Sequence, residues 1–229
     1  MKLHETTKLH FGKYLYKLVL SNQLCFIFRS RAGNVTKFNK LGNAKSILDK
    51  LTERYMQNLS LEKQVYRTKL QVPVNDYLDA KDIYTLLKYE DDYTLRAELG
   101  NRLTVYCNDK ELLDLMIAKM RVNITEFWEP AADNVNMLIN QKNIIIVNSP
   151  PEFPIKITFG NQPTAPDFTN WLNANSDKSK IGPAAVRAIE NKSKLGGLYF
   201  YVRNEKVLAL VMILIGNNVR RVDNLVYKP

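Results

Sequence analysis

The chain has 229 residues, of which 45% are hydrophobic and 24% charged, a composition that is typical of a folded globular protein and excludes an extended disordered chain. Lys and Arg number 33 against 23 Asp and Glu, so the net charge is +10 and polyanions are the favoured class of partner. The first ten residues are polar, and the longest apolar run, 207–215, is too short for a membrane-spanning helix. We therefore expect neither a secretory signal nor a membrane span, and predict a cytoplasmic protein.

The net charge is concentrated in the first third of the chain. Residues 1–75 contain 14 Lys/Arg and 4 Asp/Glu, whereas residues 76–133 contain 7 and 13, and residues 134–229 contain 12 and 6. A concentrated positive charge attracts polyanions, and an adjacent acidic segment repels them. The sequence therefore predicts that the N-terminal third binds an anionic partner.

Four pairs of strand-like segments follow one another along the chain, each pair joined by a short polar or Gly/Pro-containing turn. The pairs are 14–20 with 24–29, 93–99 with 102–107, 144–147 with 155–159, and 198–203 with 207–215. Apolar residues at helical spacing follow the first three pairs, in segments 43–59, 109–120 and 166–175. Shorter helices are predicted at 79–88 and 184–191, and a last strand at 219–227.

Hairpins that alternate with helices predict an α+β fold. We expect a mainly antiparallel sheet, built from successive β-hairpins and covered by three or four helices. The segment 129–143, which begins just before Pro130, indicates a boundary between a unit 1–133 and a unit 134–229, although the sequence also allows one continuous domain.

Residue types that common catalytic sites require are scarce. The two histidines, His4 and His10, lie in an N-terminal segment that we expect to be mobile, so a His-activated nucleophile or a His-rich zinc site is not predicted. Cys25 and Cys107 are predicted to be buried thiols, with a long-range disulfide as the alternative. The sequence contains neither a phosphate-binding nor a dinucleotide-binding glycine motif. We expect no cofactor, and favour a non-enzymatic role while leaving an enzyme open.

The first predicted hairpin combines aromatic and basic residues. Alternation places Tyr14 and Tyr16 on one face of their strand, and Phe26 and Phe28 on one face of the next. Exposed rings would form a platform on which single-stranded bases stack, while neighbouring cations contact phosphates. The simpler interpretation, which we favour, places these rings in the core and leaves the basic residues in solvent.

The predicted phosphate-binding residues are basic and belong to the first hairpin or to the segment that follows it. They are Lys13, Lys17, Arg29, Arg31, Lys37, Lys40, Lys45 and Arg54. Lysine outnumbers arginine in the chain by 22 to 11, which favours attraction to the phosphate backbone over bidentate recognition of bases. A second basic group surrounds the predicted helix at 184–191 and could add phosphate contacts: Lys178, Lys180, Arg187, Lys192 and Lys194.

The acidic middle segment allows a metal-dependent nuclease as an alternative. Its Mg²⁺ ligands would be Asp91, Asp92, Glu98 and Asp109. Each carboxylate also has a structural explanation, as part of a loop before a strand, as an in-strand ion pair or as a residue at the start of a helix. We therefore predict no metal site and keep the nuclease as the alternative.

We predict a non-enzymatic nucleic-acid-binding protein that uses the N-terminal basic surface. The sequence leaves open whether the partner is DNA or RNA and whether it is single- or double-stranded. A structural or protein-docking role is a further alternative, in which basic and acidic segments pair between subunits of a homo-oligomer. The abundance of Lys and Asn is typical of AT-rich genomes, which indicates a phage or another mobile element as the source, and a host cytoplasm as the location.

Overall fold

The structure is a computed structural model, and it describes residues 1–29, 41–65, 68–98, 100–121, 124–164 and 167–228. The chain divides into two compact units: unit 1, Met1–Val135, and unit 2, Asn136–Pro229. Within the described residues each unit contains a five-stranded sheet, and unit 1 has an additional two-stranded sheet. Most strand pairs are antiparallel and helices alternate with strands. The predicted α+β class is therefore confirmed, with more helices than the three or four expected.

The described part of unit 1 contains seven strands and three complete α-helices. They are β1 (Lys2–Glu5), β2 (Tyr16–Ser21), α1 (Ala44–Met56), β3 (Glu62–Val65), β4 (Thr68–Gln71), α2 (Val74–Leu87), β5 (Tyr93–Ala97), β6 (Arg102–Cys107), α3 (Lys110–Lys119) and β7 (Ile124–Glu129). Two 3₁₀ helices cover Cys25–Phe28 and Ala132–Asn134, and α4 (Val135–Asn140) crosses the boundary between the units.

The large sheet of unit 1 has the strand order β1-β7-β2-β6-β5. Strands β2, β5, β6 and β7 are antiparallel wherever they pair with one another. Together with α1 and α3 they follow the order β-α-β-β-α-β along the chain. When these four strands are numbered 1 to 4 in chain order, their order across the sheet is 4-1-3-2, which is the split βαβ arrangement. The β3–β4 hairpin and α2 are inserted into the first crossover. The edge strand β1 is added parallel to β7.

Helices α1, α2 and α3 pack on one face of this sheet. Alternate residues of the strands are buried together with apolar residues of α1, α2 and α3 in a single core. Buried members from strands and helices include Leu18, Leu20, Leu103, Val105, Leu48, Leu51, Ile83, Leu87, Leu113 and Met116. The strand residues that alternate with these buried ones therefore point to the opposite face of the sheet.

Unit 2 repeats the arrangement of a sheet with helices on one face. Its elements are β8 (Ile144–Val147), β9 (Ile155–Phe159), α5 (Asp167–Ala174), β10 (Ser179–Ile181), α6 (Pro183–Glu190), β11 (Tyr199–Val202), α7 (Glu205–Ile215) and β12 (Val219–Tyr227). The strand order is β10-β11-β9-β12-β8, with β8 parallel to β12. One core joins the sheet to α5, α6 and α7 and includes Ile155, Ile157, Phe159, Phe168, Leu172, Ile189, Phe200, Val202 and Val211.

The first predicted hairpin is wrong, because the segment after Asn22 leaves the sheet. The Leu24 N–H donates to Asn22 Oδ1 (2.7 Å), and the Asn22 side-chain amide donates to the carbonyl of Asp76 (2.8 Å) at the start of α2. These bonds hold a turn that leads into the 3₁₀ helix Cys25–Phe28 instead of a returning strand. Strand β2 pairs with β6 and β7, which are distant in sequence.

The predicted strand at 207–215 is also wrong, because this apolar run is helix α7. Asn204 caps the helix by accepting the Val207 N–H (3.1 Å). Val207, Val211 and Ile215 are buried at a spacing of four residues, whereas Ile213 is 79% exposed. A continuous apolar run has no period of its own, so the sequence could not distinguish a strand from a helix.

The remaining predicted elements are largely confirmed. The predicted pair of strands at 93–99 and 102–107 corresponds to the hairpin of β5 (Tyr93–Ala97) and β6 (Arg102–Cys107), whose turn contains Gly100 and Asn101 at positive φ. Strands β8 and β9 exist as predicted but do not pair with each other, because β12 lies between them. The helix predicted at 79–88 is longer and begins at Val74.

Both cysteines are free and buried, as predicted, and are not joined by a disulfide. Burial raises the pKa of Cys107 to about 12, so its thiol is protonated at neutral pH. In the described part of the chain, every helix is too short or too polar to cross a lipid bilayer.

Phe28 and Phe26 provide a matched test of the 3₁₀ turn. Phe28 is 2% exposed in the core of unit 1, whereas Phe26 is 38% exposed. We expect Phe28→Ala to lower the free energy of unfolding by about 3–5 kcal/mol, and Phe26→Ala to lower it by less than about 1.5 kcal/mol because less apolar surface is buried there. Urea unfolding followed by circular dichroism measures both. Equal losses of unfolding free energy in the two variants would contradict the 3₁₀ turn and favour the predicted hairpin, in which both rings share one face.

Candidate nucleic-acid interface

The sheet face of unit 1 that points away from the helices carries a row of rings and one cation. Strand register places His4, Trp128, Lys17 and Tyr106 side by side on β1, β7, β2 and β6. The His4 ring stacks on Trp128 with centroids 4.4 Å apart, and Lys17 Nζ lies 4.4 Å from the Trp128 centroid. Trp128 therefore already has partners on this face. The N-terminal segment, which we expected to be mobile, supplies β1 to the sheet.

The segment that follows β1 covers the same row. The His10 ring lies 5.5 Å from that of Tyr106 and 6.0 Å from that of Trp128, and the Phe11 ring makes an edge contact with Tyr106 at 4.8 Å. Tyr106 is consequently buried. These rings form a small aromatic cluster of their own rather than an open platform for bases.

Next to the rings, a chain of alternating charges lies on the same face. Lys17 contacts Glu126 (3.4 Å), and Glu126 contacts Arg102 (3.1 Å). Arg102 contacts Glu98 (3.5 Å), which in turn contacts Arg96 (2.8 Å). Three cations thus share two carboxylates, and the positive charge of Lys17 and Arg102 is largely compensated within the protein.

Those predicted phosphate-binding residues that the structure describes do not gather on one surface. Lys13 pairs with Asp92 and Lys17 with Glu126, both on the sheet side described above. Lys45 and Arg54 belong to α1, on the opposite side of the sheet, where Lys45 contacts Asp49 (2.9 Å) and Arg54 donates to the Ser60 carbonyl (2.8 Å). Arg29 follows the 3₁₀ helix at the end of the sheet. Arg31, Lys37 and Lys40 lie outside the described residues.

The four rings predicted to share a face also separate. Tyr14 is buried, with its hydroxyl 2.9 Å from that of Thr94, and Phe28 is in the core, so the interpretation as core residues is right for these two. Tyr16 is half-buried and Phe26 is exposed. A stacking platform built from this set is therefore wrong.

The central carboxylates are occupied by structural contacts. Asp92 pairs with Lys13 and accepts from the Asn108 amide (3.0 Å), and Glu98 pairs with Arg96 and Arg102. Asp109, rather than the preceding Asn108, caps α3 by accepting the Leu112 N–H (3.0 Å). Across the described ranges, no three His, Cys, Asp or Glu side chains are grouped as metal ligands would be.

In unit 2, the sheet face opposite the helices carries tyrosines and cations. Strand register places Lys180, Tyr201, Lys156 and Asp223 in one row across β10, β11, β9 and β12. The adjacent row contains Tyr199, Thr158 and Arg221. We define the tyrosine–lysine face as the two tyrosines and the cations around them, with Arg203 included because it continues the alternation of β11: Lys156, Lys180, Tyr199, Tyr201, Arg203 and Arg221.

The two tyrosine rings of this face are adjacent, with Tyr199 exposed and Tyr201 half-buried. Tyr199 is 44% exposed, and its ring centroid lies 5.6 Å from that of Tyr201, with the ring planes at 77°. Lys156 Nζ lies 3.8 Å from the Tyr199 centroid, within the range of a cation–π contact. Burial, and then the neighbouring phenol of Tyr199, raise the pKa of Tyr201. The phenol of Tyr201 is therefore neutral at physiological pH and can donate a hydrogen bond.

Cations exceed carboxylates on the tyrosine–lysine face. Arg203 contacts Glu152 (2.9 Å) and Arg221 contacts Asp223 (2.5 Å). Lys180 is exposed and has no ion-pair partner among the residues that the structure describes. The face therefore offers both rings and net positive charge, whereas the corresponding face of unit 1 has its rings covered and most of its charges paired.

The sequence contained a signal for this face that we did not use. Alternation in the predicted strand 198–203 already places Tyr199, Tyr201 and Arg203 on one side. The positive charge of the first third of the chain favours a different surface, in the N-terminal residues. Lys156 and Lys180 join the tyrosines only through strand pairing, which alternation within one strand does not reveal.

Comparisons with known proteins do not assign a function. No family model, no curated protein and no solved structure matches this chain. A fold by itself does not determine function. Any functional inference therefore depends on the side chains of the two sheet faces.

The aromatic cluster of unit 1 predicts a pH-dependent stability. Burial, and then the positive charges of Lys17 and Lys8, lower the pKa of His10 to about 4 from 6.5. Between pH 6.5 and 4 the unfolded chain binds a proton that the folded chain does not, so stability present above pH 6.5 is lost as the pH falls towards 4. The expected loss is up to about 3 kcal/mol. His10→Phe keeps an apolar ring and should remove this part of the pH dependence.

Urea unfolding at pH 7 and pH 4.5 measures this effect. Trp128 fluorescence reports on unit 1 when the other tryptophan is removed by Trp171→Phe. An identical pH dependence with and without His10→Phe would show that His10 is not held neutral in the cluster.

Proposed function

We propose that the protein binds single-stranded nucleic acid on the tyrosine–lysine face, without catalysing a reaction. The observation that carries this proposal is the adjacent pair Tyr199 and Tyr201 on the sheet face opposite α5, α6 and α7, with lysine and arginine side chains around them. Aromatic rings that stack bases and cations that follow the phosphate backbone are the two components of single-strand binding sites.

The geometry of the rings supports stacking of one base. With the two planes at 77°, a base can lie flat on only one ring at a time. The Tyr199 ring is the more exposed one, and Lys156 lies over it at 3.8 Å, so a base can stack only on the part of the ring that Lys156 leaves open. The Tyr201 hydroxyl interacts with the Tyr199 side chain, so a base on the accessible part of Tyr199 would lie next to this polar group.

Cations on both sides of the rings support contacts with a phosphate backbone. Lys180 and Lys156 are the cross-strand neighbours of Tyr201, on β10 and β9. The phosphates of a nucleic-acid strand that crosses the sheet would pass these side chains in turn. Contacts of this kind release counterions, so binding should weaken as the salt concentration rises.

A single strand fits this face better than a duplex does. Bases in a duplex stack on one another and present only their edges in the grooves. A sheet with flat rings offers nothing that enters a groove, whereas unstacked bases can lie on the rings. The geometry does not favour DNA over RNA, and that choice stays a prediction to be tested.

The other functions considered from the sequence have less support. A nuclease would need its carboxylates together, and Asp92, Glu98 and Asp109 have separate structural partners. Docking through complementary segments would need free charges, and Lys13 and Lys17 already pair with acids of the same unit. Phosphate binding by the N-terminal residues, a homo-oligomer, and a phage or cytoplasmic origin stay predictions.

Removing either tyrosine ring should weaken single-strand binding. We expect Tyr199→Ala and Tyr201→Ala each to reduce the binding free energy by about 1–3 kcal/mol, the contribution of one stacked base. Fluorescence anisotropy with labelled oligo-dT and oligo-rU of about 20 nucleotides, enough to span one such site, measures the dissociation constant. Tyr89→Ala is the matched control, because Tyr89 is 84% exposed and lies in unit 1.

The same titration with a duplex and at several salt concentrations completes the test. We expect the duplex to bind more weakly than the single strand, and both to bind more weakly as salt increases. Affinity that is unchanged in folded Tyr199→Ala and Tyr201→Ala variants, or no binding by the unmodified protein at low salt, would contradict the proposal.

A further inference from the structure

A cavity in unit 1 shares only Glu98 with the charge chain described above and contains none of the rings of the unit 1 sheet face. It has a volume of about 460 Å³ and lies between the β3–β4 hairpin, the 3₁₀ helix Cys25–Phe28 and the turn between β5 and β6. This volume is within the range of about 300–1,000 Å³ that small-molecule sites occupy. We call it the end cavity. Its charged and apolar lining residues include Phe26, Arg29, Lys63, Leu70, Ala97 and Glu98.

Two cations of the end cavity lack a salt bridge to an acid within the described ranges. Lys63 and Arg29 have no salt-bridge partner among the described residues. Glu98 also lines the cavity, but its carboxylate is shared by Arg96 (2.8 Å) and Arg102 (3.5 Å). An anion that enters the cavity would therefore meet net positive charge.

Lys63 is held in place rather than free in solvent. Its Nζ donates to the Gln23 carbonyl (2.6 Å) and lies 5.0 Å from the centroid of the Phe26 ring. Burial lowers the pKa of Lys63, which means that the ammonium group is incompletely solvated. A bound anion would replace the missing solvation, and a preorganised cation loses little conformational entropy on binding.

The remaining wall of the end cavity is apolar. Phe26 is 38% exposed and Leu70 is 43% exposed, although both are large hydrophobic residues. Ala97 of β5 adds a small apolar contact. A ligand with a flat apolar part and a negatively charged part would match both halves of the cavity.

We propose that the end cavity binds a nucleotide, with its phosphate between Arg29 and Lys63 and its base against Phe26 and Leu70. A nucleotide combines a charged group and a flat apolar group within the size of the cavity. The nucleotide can be a free nucleoside monophosphate or one unit of a nucleic-acid strand, since the chemistry is the same. This site is independent of the tyrosine–lysine face.

Isothermal titration of the full chain with adenosine and uridine monophosphates tests the proposal. We expect both nucleotides to bind, and inorganic phosphate and adenosine alone to bind at least about tenfold more weakly, because each fills only half of the cavity. Absence of heat for both nucleotides up to millimolar concentration, confirmed by unchanged NMR spectra, would overturn the proposal.

Arg29→Gln and Lys69→Gln form a matched pair of variants. Arg29 is exposed, so its substitution leaves the core unchanged, and we expect the nucleotide affinity to fall about tenfold through loss of one charge-assisted hydrogen bond. Lys69 lies on β4 of the same hairpin but pairs with Glu62 outside the cavity, and its substitution should leave the affinity unchanged. Equal affinities in the two variants would assign binding to another site.

Competition identifies the source of the nucleotide. Displacement of adenosine monophosphate by oligo-dT, together with weaker oligo-dT binding by Arg29→Gln, would show that the cavity takes one unit of a strand. Binding of the mononucleotide without such competition would show that the cavity takes a free nucleotide. Tyr199→Ala should leave mononucleotide binding unchanged, so failure of the proposed single-strand face and failure of the end cavity are separate results.

Discussion

In both units the helices pack on one face of a sheet, and this one-sided burial determines what the opposite face can do. Every second residue of a strand points into the core, so the residues between them must face solvent or be covered by other side chains. In unit 1 that face is closed by rings from the N-terminal segment and by a chain of ion pairs from Lys17 to Arg96. In unit 2 it retains accessible tyrosines and an excess of cations, and is the better candidate for binding.

Strand order explains why charge segregated along the sequence is mixed in space. In the split βαβ arrangement, β2 from the basic N-terminal third lies between β6 and β7 from the acidic middle segment. Lys17 therefore meets Glu126, and Lys13, just before β2, meets Asp92. A basic segment and an acidic segment that are neighbours in sequence thus partly compensate each other within one unit. Net charge along a chain predicts a binding surface only when the topology is known.

Local patterns in the sequence predicted most helices and strands, and failed where tertiary contacts decide. The aromatic segment 24–29 has the composition of a strand, but Asn22 and Asp76 hold it in a 3₁₀ turn. The apolar run 207–215 has no period, and its helix depends on the cap at Asn204. For the candidate site, alternation identifies Tyr199 and Tyr201, whereas the position of Lys156 beside them depends on register between strands far apart in sequence.

Photo-crosslinking tests the central claim, that a single strand lies on the tyrosine–lysine face, most directly. An oligo-dT that carries photoreactive thymine analogues is irradiated with the full chain, and the modified peptides are identified by mass spectrometry. We predict crosslinks in the β11 peptide that contains Tyr199 and Tyr201. Crosslinks confined to the N-terminal residues 13–54, with the β11 peptide unmodified, would contradict this account.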